Sequence, residues 1–349
     1  MKRLFTTAVL FLLCVLAHAD SVDAKIRAAM ERQHIPGLSI AVIENGKVIK
    51  AAGYGFANVE KKIPATPETI YELASITKQF IAAGTMLLVE QGKVKLDDPI
   101  TKYLHDTPAA WTNVTVRRLL SHTAGLKRDD PLGLRSNPTD SELSQAIVNM
   151  PLQSAPGKEW SYSNAGYNLW SLALAQQANE TWDKYLAEKI FNPLHMDHTQ
   201  HIPQHATANN FAIGYTTNSF GQWRHAPKMQ RTFASGGIAS TVLDMAKWDA
   251  ALYGEQILKH SSFDELITPA KLSNGAPVKT KTGWSYGLGW GVGTTVRGHK
   301  GMSHNGSRPG FSTYIMRCYE DKLTVVILCN EWHVELAGLG RQLLADYLP

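Results

Sequence analysis

Ser75-Ile76-Thr77-Lys78 begins a run, Gln79 to Gln91, that reads as a helix ended by Gly92. Phe80, Ile81, Ala83, Met86, Leu87, Leu88 and Val89 make this helix apolar nearly all round, which predicts burial on every side. A serine and a lysine three apart share one face of it. A lysine at the buried start of such a helix needs partners or loses its proton. A partly neutral amine beside a hydroxyl can take the hydroxyl proton and leave a nucleophile. The positive end of the helix dipole favours the negative charge that then develops. The same residues also fit an ordinary N-cap followed by a surface lysine, so the decision rests on the rest of the chain.

Upstream of this helix, Leu38 to Val42 alternates like a half-buried strand, Asn45-Gly46 is a two-residue hairpin turn, and Val48 to Ala52 returns, with Gly53 and Gly55 marking its end. An amphipathic helix is predicted near Val22 to Gln33, and Pro64 to Glu72 reads as a loop. Downstream, to about Gln204, the pattern is mostly helical: Val114 to Ser121, Ser141 to Met150, Gly166 to Ala178 and Trp182 to Phe191. Gly236 to Ser240 reads as a turn before a helix from Thr241 to Tyr253. Strands return at Trp284 to Val292, Gly310 to Tyr319 and Leu323 to Asn330, and a helix from Glu331 to Tyr347 closes the chain. Thr324 to Leu328 is apolar on both faces and belongs at a sheet's centre. The predicted class is α/β of the α+β type, a mainly antiparallel sheet flanked by terminal helices, with an all-helical subdomain inserted and the site between them. The expected division is 20–72 with 241–349 for the α/β part and 73–240 for the helical part.

Met1-Lys2-Arg3, an apolar run from Ala8 to Leu16 and Ala17-His18-Ala19 form a secretory signal over residues 1–19, so the expected location is periplasmic or secreted, with no stable membrane anchor after cleavage. The net charge of +5 carries no Lys/Arg block, which argues against nucleic acid as a partner. Cys318 and Cys329 lie on a hairpin turning near Asp321. Pairing about that turn sets Cys318 opposite roughly residue 325, so both are read as buried thiols rather than a bridge.

Two further elements bear on chemistry. Tyr162-Ser163-Asn164 follows Pro156-Gly157 and precedes a helix; it can present a phenol for proton transfer and an amide for binding, or serve as an ordinary cap. A strand beside the serine would supply a backbone N–H, and Lys281-Thr282-Gly283 and His304-Asn305-Gly306 are both candidates. His195, His198, His201 and His205 have helical spacing, but Pro193 and Pro203 break any helix there, and a solvated loop is expected rather than a metal site. His122 is read as ordering a turn. Three N-x-S/T triplets, at Asn113, Asn179 and Asn305, are read as chance.

Taken in order, these motifs resemble those of the serine β-lactamase and penicillin-binding superfamily, in the branch of class C β-lactamases, tyrosine-type D-alanyl-D-alanine carboxypeptidases and esterases. The resemblance runs from about Ile35 to Trp332. It rests on Ser75 to Lys78, Tyr162 to Asn164 and His304 to Gly306, supported by Leu119 to Gly125, Gly236 to Thr241 and Tyr286 to Trp290. The family's order favours His304 over Lys281 as the third element. The resemblance implies Ser75 as nucleophile, Lys78 and Tyr162 in proton transfer, Asn164 on the substrate's amide, and an oxyanion hole from the backbone N–H of Ser75 and Ser307 beside Gly306. Small esters, D-amino-acid peptides or β-lactams are the implied substrates, with or without turnover of the acyl group, and no metal or organic cofactor is implied. Where class C β-lactamases carry the lysine of K-T-G, this chain has His304. Arg308, four residues on, is the candidate to restore the missing charge.

Overall fold

The computed structural model describes residues 21–128, 137–202, 210–229 and 233–348. The signal segment, Pro203 and His205 lie outside these residues. Helix α1 (residues 21–32) precedes a hairpin of β1 (Gly37–Glu44) and β2 (Lys47–Asn58), turned at Asn45-Gly46. Then come β3 (Ile63–Pro64), β4 (Tyr71–Glu72) and a 3-10 turn, Ala74–Ile76, that runs directly into α2 (Thr77–Glu90). The helical part continues with α3 (Val116–Leu120), α4 (Asp140–Val148), α5 (Asn164–Ala178) and α6 (Trp182–Leu186). After it come β5 (Gln200–His201), β6 (Tyr215–Thr217), β7 (Trp223–His225), β8 (Ile238–Ser240), α7 (Val242–Ala251) and α8 (His260–Ile267). The chain ends with β9 (Ser285–Tyr286), β10 (Gly291–Thr294), β11 (Lys300–Arg308), β12 (Phe311–Cys318), β13 (Leu323–Cys329) and α9 (Ala337–Tyr347).

One antiparallel sheet organises the molecule, in the order β3-β2-β1-β13-β12-β11-β10-β9. Strand β13 sits between β1 and β12, as its two apolar faces require. Val325, Ile327 and Cys329 join Leu38, Ile40 and Val42 against Val22 and Ile26 of α1 and Leu339 and Leu343 of α9. Val326 and Leu328 face the other way, into the core shared with Phe80 and Ile81 of α2, Trp170 of α5 and Trp248 of α7. The alternation of one strand thus binds the terminal helices to one face and the helical part to the other. Among the described residues, no helix is long and apolar enough to cross a membrane.

Several local expectations give way. Strand β2 runs through Gly53 and Gly55 to Asn58, because a side chain at 53 would meet the Ala65 carbonyl oxygen 2.1 Å away. The two glycines let the neighbouring chain approach rather than end the strand. Ile238–Ser240 is a strand, β8, held between β4 and β5. Residues 284–292 are two short strands joined by a turn, not one. The final helix starts at Ala337, because the 331–336 segment first pairs Glu331 with Tyr215 and donates the Val334 N–H to Ser312. Cys318 lies opposite Leu323, two residues nearer the turn than the expected partner, and Cys329 lies opposite Ser312; both thiols are free and buried.

Candidate active site

Ser75 occupies the 3-10 turn at the head of α2 and is half-buried, whereas Lys78, one turn on, has no solvent exposure. Ala74, just before the serine, is held at φ +49°, a left-handed conformation that costs a non-glycine residue on the order of 1 kcal/mol or more. The ammonium position of Lys78 is defined by three neighbours: Asn164 Oδ1 at 2.9 Å, the Ser235 carbonyl oxygen at 2.7 Å and Ser75 Oγ at 3.2 Å. The first two can only accept. A neutral amine has two N–H donors and one lone pair, so donating to Asn164 and Ser235 leaves the lone pair for the Ser75 hydroxyl. Burial, and then the Arg128 cation, hold Lys78 well below the ordinary lysine range, which favours that neutral form.

Tyr162 lies over this amine, with Lys78 Nζ 4.9 Å from its ring centre, and its hydroxyl shares a hydrogen bond with Ser75. Burial raises the phenol above its usual range, so it keeps its proton at neutral pH. The loop that carries it is fixed locally. Ser163 caps α5 by accepting from Gly166 N–H at 3.1 Å and donates its own hydroxyl to the Lys127 carbonyl at 2.7 Å. The Ser163 N–H donates to His122 Nδ1 at 3.1 Å, and the Asn164 N–H to the Arg128 carbonyl at 2.9 Å. His122 does order a turn, at φ +61°, but its ring also packs 4.2 Å from Tyr162 and backs the phenol.

The far wall is β11. Beyond Ser303 this strand has β12 on one side only, because β10 pairs with Lys300 to Ser303 alone. The 3-10 turn bearing Ser75 packs along the edge left open. Gly306 makes the approach possible: a Cβ there would stand 2.1 Å from Thr313 Oγ1 and 2.2 Å from the Leu73 carbonyl oxygen. Ser307, the next residue, is exposed at that edge. His304 is buried, with Nε2 2.9 Å from the Tyr286 hydroxyl and Nδ1 2.8 Å from the Asn305 carbonyl. Burial and the nearby Lys78 push its pKa down to about 3.

The structure therefore brings Ser75, Lys78, Tyr162, Asn164, His304 and Gly306 around one cleft, with Ser307 at its edge. Lys281 stands elsewhere, exposed in the turn closed by Gly283 N–H on the Thr280 carbonyl. Arg308 turns away from the cleft: its Nε is 2.7 Å from Glu72 Oε2 and its Nη1 donates to the Gly236 carbonyl. It therefore does not supply the charge that His304 lacks. His195 and His198 are exposed, and His201 Nδ1 lies 3.6 Å from Asp183. Among the described residues, no cluster of three metal-ligating side chains occurs. Sequence reasoning missed Ser235, Arg128 and Tyr286. Arg128 lies 5.8 Å from the Tyr162 ring and contributes a cation at the cleft. Only Tyr286 carried a signal, as the first residue of the Tyr286 to Trp290 motif.

The sequence profile of the Beta-lactamase family matches residues 22–348. The chain belongs to the Beta-lactamase family. Within that family it is similar to Protein flp of Staphylococcus aureus (strain COL), 26% identical over 320 residues that cover 89% of this chain and 63% of flp. It is also similar to Penicillin-binding protein 4* of Bacillus subtilis (strain 168), 27% identical, covering 86% of this chain and 69% of that protein. The chain thus spans somewhat under two thirds of the length of flp. Among solved structures, the octameric penicillin-binding protein homologue from Pyrococcus abyssi superposes with a TM-score of 0.84 at 28% identity, covering 94% of this chain and 76% of that one. A penicillin binding protein from Bacillus halodurans shares the fold, with a TM-score of 0.77 at 23% identity, covering 91% and 97%.

Proposed function

We propose that the protein is a serine acyl hydrolase with a Ser75-Lys78-Tyr162 site, acting through an acyl-enzyme on small esters or D-amino-acid peptides. The observation that carries this reading is the Lys78 amine, whose two donors are taken by Asn164 and Ser235 and whose lone pair is left to Ser75. In the proposed step the Ser75 proton passes to Lys78 Nζ while Oγ bonds to the substrate carbonyl carbon. The oxyanion so formed lies against the backbone N–H of Ser75 and Ser307. Tyr162, protonated at neutral pH, gives its proton to the departing alcohol or amine and regains one from the Lys78 ammonium. Water then repeats the sequence on the acyl-enzyme, and the product acid leaves. His304 favours esters, since substrates with a carboxylate find no charged partner at that position.

One observation favours β-lactams instead: the Arg128 guanidinium near the Tyr162 ring offers a cation to their carboxylate. The test is kcat/KM at pH 8 for nitrophenyl acetate or butyrate, a D-alanyl peptide and a cephalosporin, each corrected for spontaneous hydrolysis. Faster turnover of the ester or peptide supports the proposal. Faster turnover of the cephalosporin replaces it with the lactamase reading. A penicillin adduct on Ser75 that persists for hours without turnover replaces it with a penicillin-binding protein. A label on any other serine removes the site.

A further inference from the structure

The His304 ring has two hydrogen-bond partners, and they differ in kind. The Asn305 carbonyl at Nδ1 can only accept, so Nδ1 carries the proton. In the neutral ring Nε2 is then an acceptor, and the Tyr286 hydroxyl 2.9 Å away must donate to it. Tyr286 stands on β9, two strands from His304 on β11, and its hydroxyl reaches the imidazole from the end of that short strand. Its ring is wedged among neighbours, 4.9 Å from His122 and 5.9 Å from Trp160. Tyr167, beside it, donates its own hydroxyl to the Leu120 carbonyl at 2.7 Å, so its oxygen can also accept from Tyr286, but only donation to His304 gives the bare Nε2 a partner.

We propose that Tyr286 is a positioning residue that locks His304 in the Nδ1–H tautomer, so that β11 offers substrate neither a cation nor a free side-chain donor at position 304. The consequence for substrate choice rests on the hydrolase reading above: the pair selects acyl compounds that lack a carboxylate there. The tautomer itself does not depend on that reading. The charged and titratable groups facing His304 are Lys78 from α2, His122 from the turn after α3, Tyr162 from the loop before α5 and Tyr286 from β9. Burial opposes protonation of the imidazole, and the Tyr286 donor adds to that opposition by stabilising the neutral ring.

The test is nitrogen NMR of the full chain labelled with 15N-histidine, with the His304 signals assigned by their loss in His304→Gln. In the wild type, His304 Nδ1 is expected to be protonated and Nε2 bare from pH 5 to 9. Tyr286→Phe keeps the ring in its packing and removes the donor, so Nε2 should titrate roughly one unit higher. Because burial keeps even the raised value below pH 5, the substrate ratio should not change between pH 8 and 5.5, and the readout that a merely structural role would not move is the nitrogen spectrum below pH 5. A protonated Nε2 in the wild type, or a Tyr286→Phe titration of Nε2 unchanged from the wild type, would overturn the proposal. The wild-type spectrum decides this even if the variant fails to fold. Absence of ester turnover alongside the expected spectra would sink the hydrolase reading and leave the tautomer lock standing.

Discussion

Thr313 Oγ1 donates a 2.8 Å hydrogen bond to the Leu73 carbonyl, in the space that a side chain on Gly306 would fill. This bond ties β12 to the turn that presents Ser75, and it sets how far the serine stands from the Ser307 backbone. Gly306→Ala must break it or push the turn outward. Because a misplacement of about 1 Å can cost on the order of 100-fold in rate, kcat/KM should fall about that much while the sheet stays folded by circular dichroism. Retained activity would mean that the turn and β11 need not be in contact.

Lys78→Ala should lower kcat/KM by several orders of magnitude, whereas Lys281→Ala should leave it within a few-fold. The Lys78 amine is depressed well below its ordinary range, so wild-type activity should fall as pH drops through that depressed value and the lone pair is protonated. Equal losses from both lysine variants, measured with one ester, would identify the wrong lysine.

Tyr162→Phe should discriminate between leaving groups. A nitrophenolate departs at pH 8 without a proton, but an alkyl alcohol or an amine needs one. General acid assistance contributes about 100- to 10,000-fold, so the variant should lose far more on alkyl esters and peptides than on nitrophenyl esters. A uniform loss would assign Tyr162 to positioning alone.

Asp249 on α7 accepts from Arg317 of β12 and from Thr324 of β13, and both members of the ion pair are fully buried. Removing one partner strands a charge in the core. Asp249→Ala should therefore cost about 3–5 kcal/mol in urea unfolding, whereas replacing both with apolar residues of like volume should cost much less. A loss under about 1 kcal/mol for the single variant would show that water reaches the pair.

Burial pushes the Glu331 carboxyl up to about 7. Between the ordinary carboxyl range and that value, the folded chain holds a proton that the unfolded chain has released. Stability should therefore fall as pH rises through this window and level off above it. The drop should be of order 2–3 kcal/mol, and Glu331→Gln should flatten it in thermal melts between pH 5 and 8. A wild-type melt independent of pH across that range would contradict the assignment.

The sheet centre was legible because Val325 to Leu328 is apolar without interruption, and the first hairpin because Asn45-Gly46 has few other uses. Lys78 announced itself by standing in an apolar helix. Elements whose order depends on distant partners were not legible. Strand β8 has three residues and exists through pairing with β4 and β5, one far before it and one nearer. The last helix was read too long because nothing local reveals that Glu331 is drawn to Tyr215. Within the site, the side-chain direction of Arg308 and the reach of Tyr286 to His304 depend on distant packing partners, which the residues themselves do not state. Ser235 acts through its backbone, so its side chain gave no sign.

Strand β1 has its register against β13, with Leu38 facing Cys329, a sequence separation of roughly 290 residues. Two neighbouring strands of the sheet are thus synthesised far apart in time. Ribosomes add about 5–20 residues per second, so β1 waits on the order of 15–60 seconds for its neighbour. During that interval the β1-β2 hairpin has an unpaired edge, which β13 later covers. Completion of the sheet, and with it of the wall that faces Ser75, therefore waits for β13.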